Sequence, residues 1–471
     1  MSAIDSRPAQ PVEKLKFSEK LGYGMGDAAS NFFFQAFNVF LLIYYTDVFG
    51  LAPAAVGTMF LVTKLVDAFS DPAMGLVADR TNTRWGKFRP YLLTMAVPYG
   101  LLGYAMFLGP DLSPTWKLVY AYVTYSLMML AYTAINIPYS ALMGVISPSS
   151  DERVKVSAYR FVCAFGAGWL VVTFVGPLQR LLGGGDEAEG YRLTMMLFAV
   201  FSVALFWWTF AATKERVQAV PVEPNVKAEL GALVRNLPWI ALFVSGIFAL
   251  MQTAVRNGGL LYYFKYYVGD DGAALFSMFG MTFDKASVFM SLGTIAMVIG
   301  VTLTRPLTQR FEKQHLMIAL TAASAVINGL FFFIPTDQYW LMVAVNCFAT
   351  LISGPLPPLV FAMNADCADY GEWKSGRRTT ALIYSGGGFA AKLGLAVGAG
   401  LAGYILALFG FIANQPQTET ALLGIRLMFT AFPAVLSLIA AAAILFYRLD
   451  SALVSRIEGE LAQRRLSAEK P

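Results

Sequence analysis

The sequence predicts an all-α membrane protein whose twelve transmembrane helices form two pseudo-symmetric six-helix bundles, and three observations support this. Of the 471 residues, 57% are hydrophobic and only 14% are charged, whereas soluble proteins carry about 25% charged residues. Twelve stretches are apolar over roughly the 20 residues that a membrane helix needs. Cation-rich and cation-poor connections alternate between them, as in a chain that crosses a membrane repeatedly.

The twelve predicted spans follow from the hydrophobic stretches. Several exceed the minimal length, so we expect tilted helices or helix ends that reach into water. The spans cover residues 21–45, 54–79, 90–110, 116–146, 154–181, 191–213, 236–268, 280–308, 315–334, 339–364, 379–411 and 421–447.

Lysine and arginine residues orient the predicted helices. They concentrate in both tails and in the even-numbered connections, whereas the first and ninth connections, 46–53 and 335–338, contain none. Cytoplasmic connections of membrane proteins are enriched in cations. Both termini are therefore predicted to be cytoplasmic, in a multi-pass protein of the bacterial cytoplasmic membrane.

A weak internal repeat divides the chain into two halves. The stretch 75–84 after the second span is echoed by 305–313 after the eighth, and the connection between the halves contains Pro221 and Pro224. The predicted organisation is a tail 1–20, a first bundle 21–213, a linker 214–235, a second bundle 236–448 and a tail 449–471.

The sequence excludes several classes of function. The single histidine, His315, rules out motifs that need two, such as the zinc-protease HExxH, and the chain has no GxxxxGK[ST] phosphate-binding loop. Three cysteines, Cys163, Cys347 and Cys367, do not make a disulfide framework. We therefore expect neither an enzyme nor an ATP-driven pump, and no cofactor or nucleic-acid partner.

Two carboxylates in the second span carry the strongest functional signal. Asp67 and Asp71 are one helical turn apart, and Lys64 lies one turn before Asp67 on the same face. Two like charges outside water raise each other's energy, so a cation or a proton between them would relieve that cost. The pair predicts reversible binding of a small cation; a structural ion pair with Lys64 is the alternative.

Six short motifs carry a resemblance to a known family. They lie in order across both halves, at residues 23–27, 44–47, 67–72, 84–90, 132–139 and 369–374. With the loop sequence Gly-Leu-Val-Ala-Asp-Arg at 75–80, they resemble the glycoside–pentoside–hexuronide:cation symporters of the major facilitator superfamily. The resemblance implies the major facilitator fold and transport by alternating access.

This resemblance assigns a cation site. It places Asp67 and Asp71 among the ligands, together with Ser70 and Thr133. The family has an asparagine at the position of Ser70, and a serine hydroxyl is a weaker ligand for sodium, which takes several hard oxygens. A proton needs only one carboxyl group that holds it reversibly. We therefore expect H+ as the coupling ion, with Na+ as the alternative.

A second intramembrane charge is Lys392, in the glycine-rich eleventh span. It lies more than two turns inside this span, which disfavours a lysine that merely reaches the interface. The resemblance places Lys392 near Asp67 and Asp71, where its ammonium would offset their charge when no cation is bound. We expect Lys392 and Lys64 to belong to one coupling network, in which the Lys392 contact loosens when the cation arrives.

A sugar site is expected near the middle of the membrane. The resemblance contributes Asn31, Asn136 and Arg160, and the two asparagines stand where family members have aspartates. Ser140 stands where they have a stacking tryptophan. Amides still bond to sugar hydroxyls and carry no negative charge, so an acidic sugar is not repelled.

Four further residues complete the predicted sugar site. Tyr23, Tyr132 and Tyr139 are candidate walls for a sugar ring, with the lipid interface as the alternative location for each. Arg256 is included because its depth in the seventh span points it to the cavity, whereas Lys265 is expected at the outer surface.

A charged cluster at the end of the tenth span predicts a cytoplasmic gate. It contains Asp366, Asp369, Glu372 and Arg378, and pseudo-symmetry places it opposite Arg84. Single surface ion pairs contribute only about 0–1 kcal/mol, so a gate would need a network. The alternative is membrane topology alone, which explains the cations but not the three acids.

The sequence thus predicts a symporter that couples uptake of a glycoside or related sugar to inward movement of a proton or sodium ion. An alternative with the same fold is a carrier of lysolipids or other amphipathic solutes, which would need a long apolar groove. A non-transporting sensor would give no reason for the buried charges. We expect a monomer in the lipid bilayer.

Overall fold

A computed structural model describes residues 14–217, 231, 233–270, 272–376 and 380–468. Within these ranges, the side chains of residues 64–69, 72, 79, 150, 151, 375, 380, 381, 462 and 465–468 lie outside the description. Two helical segments that are separated by one or two residues share a number below.

Six helices make up the first half of the chain. Helix α1 bends at its end into Leu41–Ile43 and a π-helical turn, Tyr44–Val48. The bounds are α1 Phe17–Val39, α2 Pro53–Arg80, α3 Arg89–Thr94 with Ala96–Ala105, α4 Pro114–Val145, α5 Ser150–Gly183 and α6 Glu187–Ala212.

The second half contains seven helices and one hairpin within the described residues. Helix α7 ends in a π-helical turn, Tyr263–Val268, and strands β1 (Phe276–Met278) and β2 (Met281–Phe283) pair antiparallel before α8. The helices are α7 Leu237–Tyr262, α8 Lys285–Thr302, α9 Lys313–Leu330, α10 Tyr339–Ser353 with Leu356–Ser375, α11 Thr380–Leu408, α12 Glu419–Phe429 with Ala431–Ile444, and α13 Ser451–Ala468. A short helix, Thr304–Thr308, follows α8.

Many of these helices are long and apolar enough to cross a membrane. Among the residues that the structure describes, nine helices qualify, and a tenth is added if α1 and its bent continuation, which meet at 55°, form one span. Helix α2 contributes only the shorter apolar segment Pro53–Thr63 to this test, and α3 is broken at Met95. The chain is therefore a multi-pass membrane protein.

Local sequence explains where several helices begin and end. The side chains of Ser149, Asp186 and Asn236 accept hydrogen bonds from backbone N–H groups in the first turns of α5, α6 and α7, which otherwise have no partner. Helix α5 ends at Gly184, whose φ of 55° is left-handed and suits glycine. The predicted boundaries between the fourth, fifth and sixth spans thus rest on capping residues.

Small residues let α2 and α11 approach closely. A Cβ atom on Gly57 would lie 2.7 Å from the carbonyl oxygen of Gly400, and one on Gly403 would lie 2.4 Å from that of Pro53. Real Cβ atoms do not come this close, so glycine is required at these positions. The contact brings α2 of the first half against α11 of the second and thereby positions the residues of both helices that face each other.

Candidate cation and solute site

Asp71, Thr133 and Lys392 come together where α2, α4 and α11 meet. Thr133 Oγ1 donates a hydrogen bond of 2.8 Å to Asp71 Oδ1, and the Lys392 ammonium forms an ion pair with Asp71 Oδ2. The Asp71 side chain is 23% exposed and that of Lys392 is 36% exposed. One carboxylate is thus held by a hydroxyl and an ammonium, each from a different helix, at a place that small ions can reach.

The other predicted members of the cation site lie on the same helix. Ser70 precedes Asp71 on α2 and is partly buried. Asp67 and Lys64 belong to α2, but their side chains lie outside the described part of the chain. The predicted carboxylate pair therefore stays a prediction, whereas the surroundings of Asp71 are defined.

A cavity of about 240 Å³ adjoins this group and is lined by residues of α1, α2, α4, α7 and α11. Of the predicted site residues, Tyr132 and Lys392 line it. Aromatic rings of the first half face small side chains of the second half across the cavity. The lining residues include Phe34, Phe37, Asn38, Phe60, Tyr125, Ala254, Gly258, Ala391, Ala396 and Ala399.

Three predicted sugar contacts form a polar cluster beside the cavity. Arg160 Nε donates a hydrogen bond of 3.0 Å to Asp27 Oδ2. Asn31 Nδ2 donates to the carbonyl oxygen of Asp27 at 2.8 Å, and Asn136 Oδ1 accepts from Ser30 Oγ at 3.0 Å. The structure therefore groups Asn31, Asn136 and Arg160 on α1, α4 and α5, and it adds Asp27 as the partner that orients the guanidinium.

Tyr23 and Tyr139 form a buried pair, so the expected wall role does not fit this conformation. Both residues are 0% exposed, and their rings stack with centroids 4.6 Å apart. Each hydroxyl donates to the other residue's carbonyl oxygen, at 3.0 Å and 2.7 Å. The pair fastens α1 to α4, and Arg160 lies over the Tyr139 ring at 5.2 Å.

Arg256 is not among the residues that line the 240 Å³ cavity, and its role as a substrate contact stays a prediction. Its guanidinium donates to Asn346 Oδ1 on α10 at 3.1 Å and lies over the Phe429 ring at 4.7 Å. Depth along α7 was estimated from the sequence, but the face of the helix was not. Arg256 points into the second half, towards α10 and α12.

The predicted gate residue Asp366 is paired within the second half in this conformation. This carboxylate accepts two hydrogen bonds from Lys313 Nζ, at 2.9 Å and 2.7 Å, and one from the Tyr447 hydroxyl at 3.2 Å. All three residues belong to the second half, so Asp366 stabilises α9, α10 and the end of α12 rather than joining the halves.

Two of the other predicted gate residues lie near the end of α10, and Arg84 lies in the loop after α2. Arg84 is exposed and lies over the ring of its neighbour Trp85 at 4.4 Å. Asp369 and Glu372 are partly buried near the end of α10, and Arg378 lies outside the described residues. Their gate role stays a prediction.

The connection after α6 is fastened to the loop between α2 and α3. The Glu215 carboxylate accepts hydrogen bonds from the backbone N–H groups of Lys87, Phe88 and Arg89, at 2.9, 2.8 and 3.0 Å. Arg216 donates to Glu19 Oε1 on α1 at 2.6 Å. The start of the predicted linker is therefore part of the first half.

Asp47 forms a junction between the halves that the sequence analysis missed. Its carboxylate accepts a hydrogen bond of 2.6 Å from Lys265 Nζ and a short one from the Tyr266 hydroxyl. Asn414 Nδ2 donates to its carbonyl oxygen at 2.6 Å. Asp47 ends the Tyr-Tyr-Thr-Asp motif, so the signal was present in the sequence, but its partners are more than 200 residues away.

A second junction joins α5 to the segment before α8. Arg180 donates to Asp284 Oδ2 at 2.8 Å and to the carbonyl oxygen of Thr282 at 3.3 Å. Burial disfavours the charge of Asp284, but the hydrogen bonds from Arg180 and Ser287 outweigh it and hold its pKa below the usual value. A cavity of about 450 Å³ lies between the Asp47 and Arg180 junctions.

The family of the chain is identified by its similarity to known proteins. Residues 22–451 match the protein family described as MFS/sugar transport protein. The chain belongs to this family. The predicted resemblance to the glycoside–pentoside–hexuronide:cation symporters is confirmed by relatives along the full length of the chain.

Three relatives illustrate this. The inner membrane symporter YicJ of Escherichia coli (strain K12) is 35% identical over 453 residues, 96% of this chain and 96% of the relative. The isoprimeverose transporter of Lactiplantibacillus pentosus is 34% identical over 483 residues, 98% and 96% of the two chains. The glucuronide carrier protein homolog of Escherichia coli (strain K12) is 31% identical, covering 96% and 97%.

Solved structures share the fold. The nucleoside transporter NupG aligns with a TM-score of 0.61 over 92% of this chain and 99% of its own, at 13% identity. A bacterial homologue of the human drug peptide transporters PepT1 and PepT2 aligns with a TM-score of 0.63 over 92% and 98%, also at 13% identity. The protein thus has the fold of the major facilitator transporters.

Proposed function

We propose that this member of the family is a symporter, which couples uptake of a glycoside or related sugar to inward movement of a proton or sodium ion. The observation that carries the proposal is the group formed by Asp71, Thr133 and Lys392 beside the 240 Å³ cavity. A carboxylate with a competing ammonium can exchange that partner for a cation. The glycoside and sugar cargo named for the relatives supports a sugar as the solute.

The Lys392–Asp71 ion pair suggests how the cation and the conformation are coupled. A proton or sodium ion on Asp71 weakens the Lys392–Asp71 ion pair, because the neutralised carboxylate no longer attracts the ammonium. Lys392 lies on α11 and Asp71 on α2, so this contact joins the two halves of the chain. Cation binding would therefore weaken one of the contacts that hold the halves together, and sugar binding would select among the resulting conformations.

Alternating access requires two bodies that move against each other. We propose twelve spans in two bundles, 21–213 and 236–448, joined by the linker 214–235. The ten spans that qualify by length and apolarity, with α2 and α3, make twelve. The Asp47 and Arg180 junctions hold one face of the bundle interface closed, and by the topology predicted from the cations this is the outer face.

Proton coupling is the first choice for the ion, and sodium is the alternative. Ser70 replaces the family's asparagine next to Asp71, which removes one amide oxygen from a sodium site. A proton needs only one carboxylate, and Asp71 with its hydroxyl donor Thr133 is sufficient for it.

Transport by the purified protein in proteoliposomes tests the proposal. Uptake of a panel of xylosides, glucosides, galactosides and uronides is measured under an imposed proton gradient or an imposed sodium gradient. We expect accumulation of at least one sugar with one gradient. Asp71→Asn should retain facilitated equilibration but lose accumulation against a gradient.

Glu189→Gln is the matched control, because Glu189 is also a carboxylate paired with a basic side chain, Arg192, but both residues lie on α6. It should accumulate sugar like the wild type. Accumulation by Asp71→Asn at the wild-type level would refute the cation site, and no uptake of any sugar by the wild type would refute the function.

A further inference from the structure

One face of α1 changes from polar to apolar along its length. Asp27, Asn31, Phe34 and Asn38 recur at intervals of three or four residues and therefore share a face. All four are partly exposed in a helix whose neighbouring positions are largely buried. They extend over about 16 Å along the axis, since a helix rises 1.5 Å per residue. A solute along this face would meet Asp27 and Asn31 at one end and, from Phe34 onwards, the 240 Å³ cavity at the other.

The polar end of this face is the cluster around Arg160. Asp27 holds the Arg160 guanidinium through Nε, and the Arg160 side chain remains 29% exposed. Asn31 lies one turn further along α1. Guanidinium and amide groups of this kind bond to sugar hydroxyls. The polar cluster is thus suited to a sugar ring.

The apolar end is the 240 Å³ cavity. Phe34 stacks on Tyr132 with ring centroids 6.1 Å apart, and Asn136 Nδ2 bonds to the carbonyl oxygen of Tyr132 at 3.2 Å, so this wall is continuous with the polar cluster. The opposite wall is formed mainly by alanine and glycine residues of α7 and α11, including Ala399, together with Leu395 and, at the end next to Asp71, Lys392. Asn38 is the polar lining residue on α1. Its Nδ2 donates a hydrogen bond of 2.8 Å to the carbonyl oxygen of Phe34.

We propose that this cavity is a subsite for an apolar aglycone, so that the transported solute is an amphipathic glycoside with a short alkyl or aryl group. The sugar ring lies against the polar cluster, and the aglycone packs between the aromatic wall and the alanine wall. This inference rests on the proposed function. An apolar aglycone explains why few of the cavity's lining residues can bond to a hydroxyl group. The hydroxyl groups of a wholly polar sugar would lack hydrogen-bond partners in this cavity.

The size of the cavity limits the aglycone. Its volume of about 240 Å³ is below the roughly 300–1,000 Å³ of pockets that hold drug-sized ligands. A phenyl or short alkyl group fits this space, and a long lipid chain does not. Each buried CH₂ group should raise the affinity by about fourfold until the cavity is full.

Binding of two homologous series tests the subsite. The probes are methyl, propyl, pentyl, octyl and phenyl β-D-xylosides and β-D-glucosides, and their affinities are measured by calorimetry on the purified full-length protein. For the sugar that binds, we expect the affinity to rise from methyl to pentyl or phenyl and to fall at octyl. Ala399→Leu should reduce the affinity for the pentyl and phenyl glycosides at least tenfold while changing that for the methyl glycoside little.

Matched variants keep the test decisive. Ala407→Leu makes the same substitution at an exposed position of α11 and should change neither affinity. If Ala399→Leu does not fold, Ala399→Val replaces it, and Phe37→Ala, which enlarges the cavity, should shift the optimum to a longer chain.

The outcomes distinguish failure of the aglycone subsite from failure of the proposed transport function. A flat series in the wild type, or an equal loss for methyl and pentyl glycosides in Ala399→Leu, would overturn the aglycone subsite while leaving sugar transport intact. If no glycoside of either series binds and no sugar is taken up into proteoliposomes, the proposed function itself fails.

Discussion

At the scale of single residues, the two oxygens of Asp71 have partners of different kinds. Oδ1 accepts from the Thr133 hydroxyl and Oδ2 from the Lys392 ammonium. The hydroxyl can turn and offer its oxygen to a cation, because it is both donor and acceptor. The ammonium can only donate. Under the proposed mechanism, Thr133 is therefore compatible with both states of the site, whereas the Lys392 contact belongs to the cation-free state.

Thr133→Ala should weaken cation binding without abolishing transport. The variant loses one hydrogen bond, which contributes about 0.5–1.5 kcal/mol, so the apparent cation affinity should fall up to about tenfold. The measurement is the cation dependence of sugar binding in the purified protein.

Thr133→Ser is the control, because it keeps the hydroxyl and should retain an affinity close to that of the wild type. Equal affinities for the alanine variant and the wild type would exclude Thr133 from the cation site.

Individual residues differ in how far the sequence could place them. Asp71 and Lys392 could be identified from the sequence, because a charged residue within an apolar span is rare and usually has a functional role. The sequence placed Arg256 in α7 but did not give the face on which its side chain lies, since orientation depends on which helices pack nearby. Asp47 was missed because its partners are distant in sequence and only the fold brings them together.

At the scale of elements, the contact between α2 and α11 depends on glycine. Gly403→Ala should be destabilising, because the added Cβ atom would meet the carbonyl oxygen of Pro53 at 2.4 Å and overpacking costs about 1–3 kcal/mol. We expect a lower melting temperature in detergent and a lower uptake rate.

Gly388→Ala on the same helix is the matched control, because its Cβ atom would meet nothing within 4 Å. If Gly403→Ala melts no earlier than Gly388→Ala, the close approach of the two helices is not required.

The junction at Asp47 predicts a shift in conformation. Asp47→Asn removes the charge that holds Lys265, so the closed face should open more often. The readout is the labelling rate of Val48→Cys, which lines the 450 Å³ cavity, in a background without the three native cysteines. We expect faster labelling by a membrane-impermeant maleimide.

Glu189→Gln, which breaks an ion pair with Arg192 inside α6, should leave the labelling rate of Val48→Cys unchanged. A labelling rate in Asp47→Asn that equals the parent rate would argue against a gate at this junction.

The Arg180–Asp284 junction makes a prediction about pH. The pKa of Asp284 lies below its usual value of 3.8 in the folded protein. The pair's contribution to the free energy of unfolding is therefore complete at pH values above 3.8. It is lost only as the pH falls through the lower pKa of the folded protein. Asp284→Asn should lower the uptake rate but keep the shape of its pH profile between about pH 5 and 8. If Asp284→Asn changes the shape of the pH profile of the uptake rate, the group that titrates between about pH 5 and 8 belongs to this junction.

At the scale of the whole molecule, the sequence predicted the helical membrane class and the family, because apolar length, cation placement and motif order are each local properties. The structure adds the pairing of helices, which depends on side-chain fit between distant segments. Within the described chain, α2 and α3 show the limit of the sequence argument. The apolar segment Pro53–Thr63 covers only the first part of α2, and α3 is broken at Met95.

A symporter of this design should show equal effects of each ligand on the affinity for the other. Cation and sugar must raise each other's affinity by the same factor. The measurement is sugar affinity at saturating and negligible cation, compared with cation affinity at saturating and negligible sugar, in one purified sample. Unequal factors would mean that a third bound species takes part, and a factor of one would mean that the two sites are uncoupled.

The Glu215 carboxylate, which accepts three consecutive backbone N–H groups of the loop before α3, has a mechanical consequence. The loop follows α2 directly, and α2 carries Asp71. A displacement of Glu215 would therefore move the end of the helix for which we propose cation binding, so this carboxylate links the residues after α6 to the proposed cation site.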